Sequence, residues 1–361
     1  MPKRTIAIVT GTRAEYGLLE PVMAAVGARP GLSLQLIVTG THLVTDSIRD
    51  IRFPIAARVR MQKKVSDTFS PFSRAADVQA LSRGISGLGK AFERLEPDVV
   101  VVLGDRIEAF AAATAASIGG YRIAHLHGGD RAEGVADEAM RHAISKLSHL
   151  HFPATAQSRK RLIRMGENPA NVWKFGSPAI DALKGVKPAE DAPALIVMQH
   201  PVGASEEDER RWMNATLKAT AKYDRLVMSP NHDPGRSGIL AAITDYGIQP
   251  VDHLPRPRFL ELLAGAKAIV GNSSAGLIEA AALRTPAVNI GPRQAGRERP
   301  RSVVDTKPQL NAIRLAIRDA LSMDTRQLRH PYGNGMTGPR IAEAFASIDL
   351  NVVPINKHNL Y

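Results

Sequence analysis

The chain has 361 residues, 44% hydrophobic and 23% charged, with a formal net charge of +12 and no cysteine. That length exceeds what one hydrophobic core usually organises, so two domains are expected. The lack of cysteine excludes disulfides and thiolate chemistry and fits a cytoplasmic protein, and no apolar run reaches the ~18 residues of a membrane-spanning helix.

The N-terminal Met1-Pro-Lys-Arg4 leads into an apolar run too short for a signal-peptide core, which reads as a first buried strand. Strands are predicted at 5–10, 34–39, 99–103, 122–127 and 150–153, each rich in Val, Ile and Leu. Helical periodicity separates them at 16–27, 77–95, 108–118 and 137–146. The stretch 55–75 resists assignment and is expected to be a mobile loop. A Pro-, Gly- and charge-rich segment, 184–193, reads as a linker, after which the pattern restarts. Strands are then predicted at 194–199, 225–229, 268–270 and 287–290, and helices at 206–222, 238–246, 258–264 and 276–283. The alternation implies an α/β fold of two parallel-sheet domains facing each other across a cleft: 1–183, and 194–340 after the linker. Residues 341–361 are expected to pack back on the first domain. Substrates of such folds sit at the carboxyl ends of the strands.

Those strand ends carry the informative residues. Asp105 closes a Val-rich strand and is followed by Arg106; a buried carboxylate there needs a partner, which Arg106 could be, or a reaction. Residues 125–142 then hold Asp130, Glu133, Asp137 and Glu138 together with His125, His127 and His142. So many ionisable groups suit a reaction that moves protons beside a charged leaving group. Plainer readings exist: Asp137 and Glu138 are also favourable acids in a first helical turn, and His149 and His151 are expected to pack rather than ionise. His125 and His127 read as sharing one strand face, but no further ligand pattern accompanies them, so no metal is expected.

Two turns suit anions. Gly11-Thr-Arg13 puts a glycine, a hydroxyl and a guanidinium at a helix N-terminus, or else is an ordinary turn with a solvated arginine. Gly271-Asn-Ser-Ser274 follows a strand and opens a helix, with Ser273 and Ser274 for phosphate oxygens and Glu279 for a ribose diol. A bare N-cap pattern would look the same. The first turn lacks G-x-G-x-x-G, which argues against a dinucleotide cofactor. Gly84-Ile-Ser-Gly-Leu-Gly-Lys-Ala91 only imitates a phosphate loop, since it lies in a helical pattern and ends without a hydroxyl. The +12 charge suggests an anionic partner or general surface basicity. With basic residues dispersed and no RNA- or DNA-binding signature, nucleic acid is not the expected partner.

Together these motifs resemble the hydrolysing UDP-N-acetylglucosamine 2-epimerases of sialic acid and related nonulosonate pathways. The resemblance runs from residue 5 to about 305. It rests on Gly11-Thr-Arg-Ala-Glu-Tyr16, Gly104-Asp-Arg106, His125-x-His-Gly-Gly-Asp130, Asp137-Glu-x-x-Arg-His-Ala-Ile144, Gly176-Ser-Pro178, Gln199-His-Pro201, Pro230-Asn231, Gly271-Asn-Ser-Ser274, Glu279 and Gly291-Pro-Arg-Gln-x-Gly-Arg297. It implies two Rossmann-like domains arranged as in glycosyltransferase B enzymes, a UDP-sugar substrate and no dissociable cofactor. Arg13, Arg106, His200, Asn231, Ser273, Ser274, Glu279 and Arg293 match the family's nucleotide contacts; Asp105 and Asp137 match two of its catalytic carboxylates. The third departs: some members have Glu in place of His127, and Glu is usual in place of Asp130. Either residue could then be the acid/base, with Glu138 beside Asp137 also a candidate.

The resemblance implies elimination of UDP to a glycal, followed by addition of water to give the free 2-epimeric sugar, such as N-acetylmannosamine. The base is expected among His127, Asp130 and Asp137, with Arg13, His200 and the Ser273-Ser274 terminus stabilising the diphosphate. The sugar stays open between N-acetylglucosamine and a 2,4-diacetamido-trideoxy relative. A non-hydrolysing epimerase, a glycosyltransferase of the same fold and a non-enzymatic anion-binding protein are the rivals. Clustered carboxylates disfavour the last. A homo-oligomer, dimer or tetramer, with no membrane partner is expected.

Overall fold

The computed structural model describes residues 3–63, 74–131, 137–231, 233–252, 254–326 and 328–360, with the backbone alone at Asp46, Ser47, Arg74 and Asp137. The first half runs β1 (Arg4–Thr10), α1 (Arg13–Ala28), β2 (Leu32–Val38), β3 (Ile55–Arg58), α2 (Arg74–Leu95), β4 (Val99–Leu103), α3 (Ile107–Ile118), β5 (Arg122–Leu126), α4 (Asp137–Leu147), β6 (Leu150–Phe152), α5 (Ala156–Arg164) and α6 (Pro178–Asp181). The second runs β7 (Leu195–Met198), α7 (Glu206–Thr220), β8 (Arg225–Val227), α8 (Arg236–Asp245), α9 (Arg256–Gly265), β9 (Ala268–Gly271), α10 (Glu279–Leu283), β10 (Ala287–Ile290), β11 (Val303–Thr306), α11 (Leu310–Leu321) and α12 (Thr337–Ser347). Among the described residues no helix is long and apolar enough to cross a membrane.

The chain forms two compact units, Met1–Asp130 with Ala136–Asp181 and Gly333–Tyr361, and Arg131–Val135 with Ala182–Tyr332. Residues 333–340, read from the sequence with the second domain, thus lie in the first unit. The first unit's sheet has the strand order β3-β2-β1-β4-β5-β6, with every pair parallel. Successive strand residues face opposite sides. Ile6, Ile8, Val99 and Val101 pack with α1 and α12, while Ala7, Val9, Val100 and Val102 pack with α2 and α3. A sheet covered on both faces needs strands that are apolar throughout, which is why 99–103 reads as an unbroken run.

The second unit's sheet is likewise all parallel, ordered β11-β10-β9-β7-β8. Ile196 and Ile269 pack toward α9, and Val270, Val288 and Ile290 toward α11 on the other face. In both sheets the order reverses beside the first strand of the unit: between β1 and β4, and between β7 and β9. Such a switch point opens a crevice at the carboxyl ends of the strands.

Several elements differ from expectation. β3 lies in the stretch read as a mobile loop; four residues at a sheet edge give too short a pattern to register, and 64–73 lie outside the described residues. The helix expected at 276–283 is a 3-10 turn at Ser274–Gly276 and then the five-residue α10. The phosphate-loop imitation lies inside α2, where Gly84 and Gly87 let the helix approach Met61 and Val59.

Candidate active site

In the first unit the residues after β1, β4 and β5 gather at the carboxyl end of the sheet. β5 ends at Leu126, and His127 then takes a left-handed backbone, φ 62°. This turn breaks the strand alternation, so His125 and His127 do not share a face as the sequence suggested. His125 is locked between the Gly104 carbonyl (Nε2, 2.7 Å) and the Ser145 hydroxyl (Nδ1, 3.0 Å), with both ring nitrogens engaged. Burial pushes its pKa down to about 3. His125 is therefore a neutral brace under the Gly104-Asp105 turn, with no nitrogen left for a metal.

His127 faces two partners: Nδ1 lies 3.0 Å from Asp130 Oδ2, and Nε2 lies 2.9 Å from Ser177 Oγ. The other Asp130 oxygen accepts the Ser158 hydroxyl at 2.7 Å. Ser158 sits at the start of α5, where Thr155 caps the helix by accepting its N–H at 3.1 Å. The glycines between His127 and Asp130 make this possible. A Cβ on Gly128 would press on His125 and Ser145, and one on Gly129 (φ 75°) would strike the Ser158 carbonyl.

Arg141, only 2% exposed on α4, ties the site together. One guanidinium nitrogen pairs with Asp105 Oδ2, and the other donates to the Asp130 carbonyl at 3.1 Å. Asp105 is thus paired with Arg141. Arg106, the partner foreseen from sequence, instead lies 3.4 Å from Glu108. The Asp105 side chain keeps 19% of its surface open. A buried arginine paired with one carboxylate and hydrogen-bonded to a carbonyl is an arrangement that makes burial of its own charge tolerable. Arg141 was not among the sequence-derived site residues; its signal was the position four residues after Asp137, one helical turn along the same face. Asp137 begins α4, but its side chain and Glu133 lie outside the described residues. Glu138 pairs with His142 on the next turn at 3.5 Å.

The turn after β1 is organised from within. Thr12 and Glu15 form a capping box, and the Glu15 carboxylate accepts the N–H groups of Gly11 (2.8 Å) and Thr12 (3.1 Å). Those donors, expected to face an anion, are already used. Burial, with Glu108 nearby, raises the Glu15 pKa to about 7. Arg13 reaches Asp50 at 2.9 Å.

Behind the site, His149 packs as expected, accepting the Ile123 N–H at 3.1 Å. His151 lies 2.9 Å from the buried Glu167, which Lys146 (3.0 Å) and Lys357 (2.5 Å) also approach. Burial alone would push the Glu167 pKa up, but His151 and Lys357 hold it down at about 2. Lys357 also donates to the carbonyls of Ser145 (3.2 Å) and Lys146 (2.9 Å), which fastens the chain's last residues over the end of α4.

In the second unit, His200 follows β7 and Asn272 follows β9, and they clamp each other. The His200 N–H donates to Asn272 Oδ1 at 2.7 Å, and Asn272 Nδ2 donates to the His200 carbonyl at 2.8 Å. The Asn231 N–H donates to His200 Nδ1 at 3.2 Å. Burial, with the Arg293 charge, holds the His200 pKa well below its ordinary value. A neutral ring that accepts at Nδ1 carries its hydrogen on Nε2. Arg293 (3.3 Å) and Gln294 (2.9 Å) both donate to the Asn272 carbonyl, so His200, Asn231, Asn272 and Arg293 form one cluster. Ser273 and Ser274 are half-buried at its edge, and the Ser273 hydroxyl accepts the Ala275 N–H at 3.3 Å. Glu279 is buried and lies 3.2 Å from Arg256.

The sequence profile of the UDP-N-acetylglucosamine 2-epimerases matches residues 24–346. The chain is 34% identical to a UDP-N,N'-diacetylbacillosamine 2-epimerase (hydrolyzing) of Legionella pneumophila, over 99% of this chain and 100% of that one. It is 31% identical to a UDP-N-acetylglucosamine 2-epimerase of Neisseria meningitidis, covering 96% and 94% of the two chains. Its fold is similar to that of a Methanocaldococcus jannaschii UDP-GlcNAc 2-epimerase solved with UDP-GlcNAc and UDP, with TM-score 0.78 and 19% identity over 94% of this chain and 98% of that one.

Proposed function

The chain belongs to the UDP-N-acetylglucosamine 2-epimerase family, and we propose that it works hydrolytically, releasing UDP and a free 2-epimeric 2-acetamido sugar. The substrate is UDP-N-acetylglucosamine or its 2,4-diacetamido-trideoxy analogue; the Legionella relative supports the second. The observation that carries the chemistry is the attachment of Asp105 and the Asp130 loop to one buried arginine, Arg141. Elimination needs a base and hydration needs a proton donor; the Asp105 carboxylate, paired with Arg141, and the Asp130 carboxylate, held by His127 and Ser158 on a loop that Arg141 anchors through its carbonyl, can supply both.

In this reading Asp130, oriented by His127 and Ser158, takes the proton from C2. The C1–O bond breaks, its electron pair leaves with UDP, and a C1=C2 double bond forms. Water then adds, its oxygen to C1 and a proton to C2 from the opposite side, delivered by Asp105 or Asp137. His127 serves as the residue that orients Asp130, because both of its nitrogens already have partners. UDP is held by the second unit. His200 offers a neutral Nε2–H, Arg293 a charge, and Ser273, Ser274 and Asn231 polar contacts; Glu279, with Arg256 beside it, accepts from the ribose. The family resemblance also assigns Arg13 and Arg106 to the nucleotide. Stabilising the departing charge is the largest single contribution expected in such a step.

The test is incubation with UDP- and GDP-linked forms of both sugars in deuterated water. Free UDP rising in step with a C2-deuterated epimeric sugar, read by phosphorus and proton NMR, is the expected result. An epimeric sugar nucleotide without free UDP would make the enzyme non-hydrolysing. Turnover only in the presence of an acceptor would make it a transferase.

A further inference from the structure

Ser177 lies in the turn before α6, is 0% exposed, and places its hydroxyl 2.9 Å from His127 Nε2. We propose that Ser177 is a positioning residue that fixes the tautomer of His127 and, through it, the orientation of the Asp130 carboxylate; the catalytic part of this rests on the function proposed above.

The hydrogen count carries the argument. An ionised carboxylate only accepts, so the bond between Asp130 Oδ2 and His127 Nδ1 requires the hydrogen on Nδ1. The Ser177 oxygen accepts the Ala179 N–H at 3.3 Å, and its single hydroxyl hydrogen is left to donate to His127 Nε2. The neutral ring protonated at Nδ1 makes both bonds and also gives the Ser177 hydrogen an acceptor. With the other tautomer, a nitrogen lone pair would face the carboxylate. With the doubly protonated ring, the Ser177 hydrogen would lose its acceptor inside the protein, which costs free energy. Ser177 thus favours the neutral ring, and keeps Asp130 from becoming the weakly basic half of an ion pair.

Arg141 and Arg161 donate to the carbonyls of Asp130 and Gly129, and His125 on β5 is neutral. From α5 come the hydroxyls of Thr155 and Ser158, and the α6 carboxylate of Asp181 is turned to the N–H groups of Thr337 and Gly338. Asp130, His127 and Ser177 have the order of a hydrolase triad, but the serine here is the buried end. A fully enclosed hydroxyl cannot attack a substrate, so its part is to hold the ring.

The experiment combines nitrogen-15 NMR of the histidine rings with the kinetics of Ser177→Ala and Ser177→Thr. His127→Asn identifies the His127 signals. The wild-type ring should carry its hydrogen on Nδ1. Ser177→Ala should accept a second proton at higher pH than the parent, and the acid limb of kcat should move the same way. Its kcat should fall on the order of 10-fold or more, since a misdirected tautomer weakens the base it serves, while KM stays within about two-fold because the UDP contacts lie elsewhere. Ser177→Thr, which keeps the hydroxyl, should restore both. A wild-type ring protonated at Nε2, or a Ser177→Ala enzyme with parental kcat and pH profile, would overturn the proposal. Should Ser177→Ala not fold, the wild-type ring and Ser177→Thr still decide it. If the wild type turns over no sugar nucleotide, the function proposed above has failed, and the ring measurement alone judges Ser177.

Discussion

At the scale of single residues, the two groups of site residues should separate by what their loss removes. Asp105→Asn keeps volume and removes the charge that Arg141 holds at the end of β4. Turnover should fall roughly 10²-fold or more, the range for a general acid–base group, with UDP affinity retained. Arg293→Ala should do the reverse, weakening UDP in a calorimetric titration far more than it slows turnover of bound substrate. Equal UDP affinity in Arg293→Ala and the parent would remove Arg293 from the nucleotide site. Glu15 gives a pH prediction. Its folded pKa, about 7, lies above its ordinary value of 4.5, so the folded protein keeps a proton that the unfolded chain gives up. Stability from this group is therefore full at low pH and declines as pH rises from 4.5 toward 7. Glu15→Gln, which can still accept the Gly11 and Thr12 N–H groups, should lack that decline and gain on the parent in melting temperature between pH 5 and pH 8. Melting curves that move in parallel with pH would show that Glu15 ionises normally.

At the scale of elements, the turn that follows β5, residues 127–130, is shaped by α5 as much as by its own sequence. Gly129 adopts φ 75° directly against the Ser158 carbonyl at the first turn of α5. Gly129→Ala meets both an unfavourable backbone and a blocked approach, and should cost more than about 1 kcal/mol in denaturant unfolding. Because the displaced partner is Ser158, the carboxylate it orients should shift as well, and turnover should fall beyond what the lost stability explains. A neutral effect on both would mean that α5 yields freely. The periodic elements were legible in the sequence: 99–103 and 287–290 coincide with β4 and β10, because buried parallel strands must be apolar along their whole length. Short edge strands such as β3 were not, since four residues carry too little pattern. The split of 276–283 into a turn and α10 was also hidden, because the left-handed and 3-10 geometry at helix ends depends on neighbours rather than on periodicity.

At the scale of the whole molecule, the chain finishes in the unit where it began. Phe345 on α12 is fully buried, its ring edge-on to Phe152 at 5.5 Å, in the cluster that includes Ile6, Leu19 and Val99. Gly338 lets the start of α12 approach the Pro21 carbonyl on α1. Phe345→Ala should therefore cost about 3–5 kcal/mol, and it should lower the unfolding transition of the first unit while leaving unchanged the UDP binding that we propose for the second. A loss below about 1 kcal/mol would mean that α12 only rests on the first unit rather than completing its core.

The sequence by itself determined the class of fold and the family. Alternating apolar runs and helical periods admit little besides parallel sheets with helices on both faces, and the motifs occur at the strand ends where such sheets build sites. It also named Asp105, His127 and Asp130 as neighbours in chemistry. Only the tertiary structure decided who pairs with whom. Asp105 meets Arg141 instead of the adjacent Arg106, the Gly11 and Thr12 N–H groups go to Glu15, and His127 spans Asp130 and Ser177, which lies 50 residues away. The physical reason is that the pattern of apolar and polar residues, unbroken in strands buried on both faces and periodic in helices with one exposed side, is reported locally by each residue. A buried hydrogen bond depends on geometry a few tenths of an ångström fine, between groups that meet only once the sheet has formed.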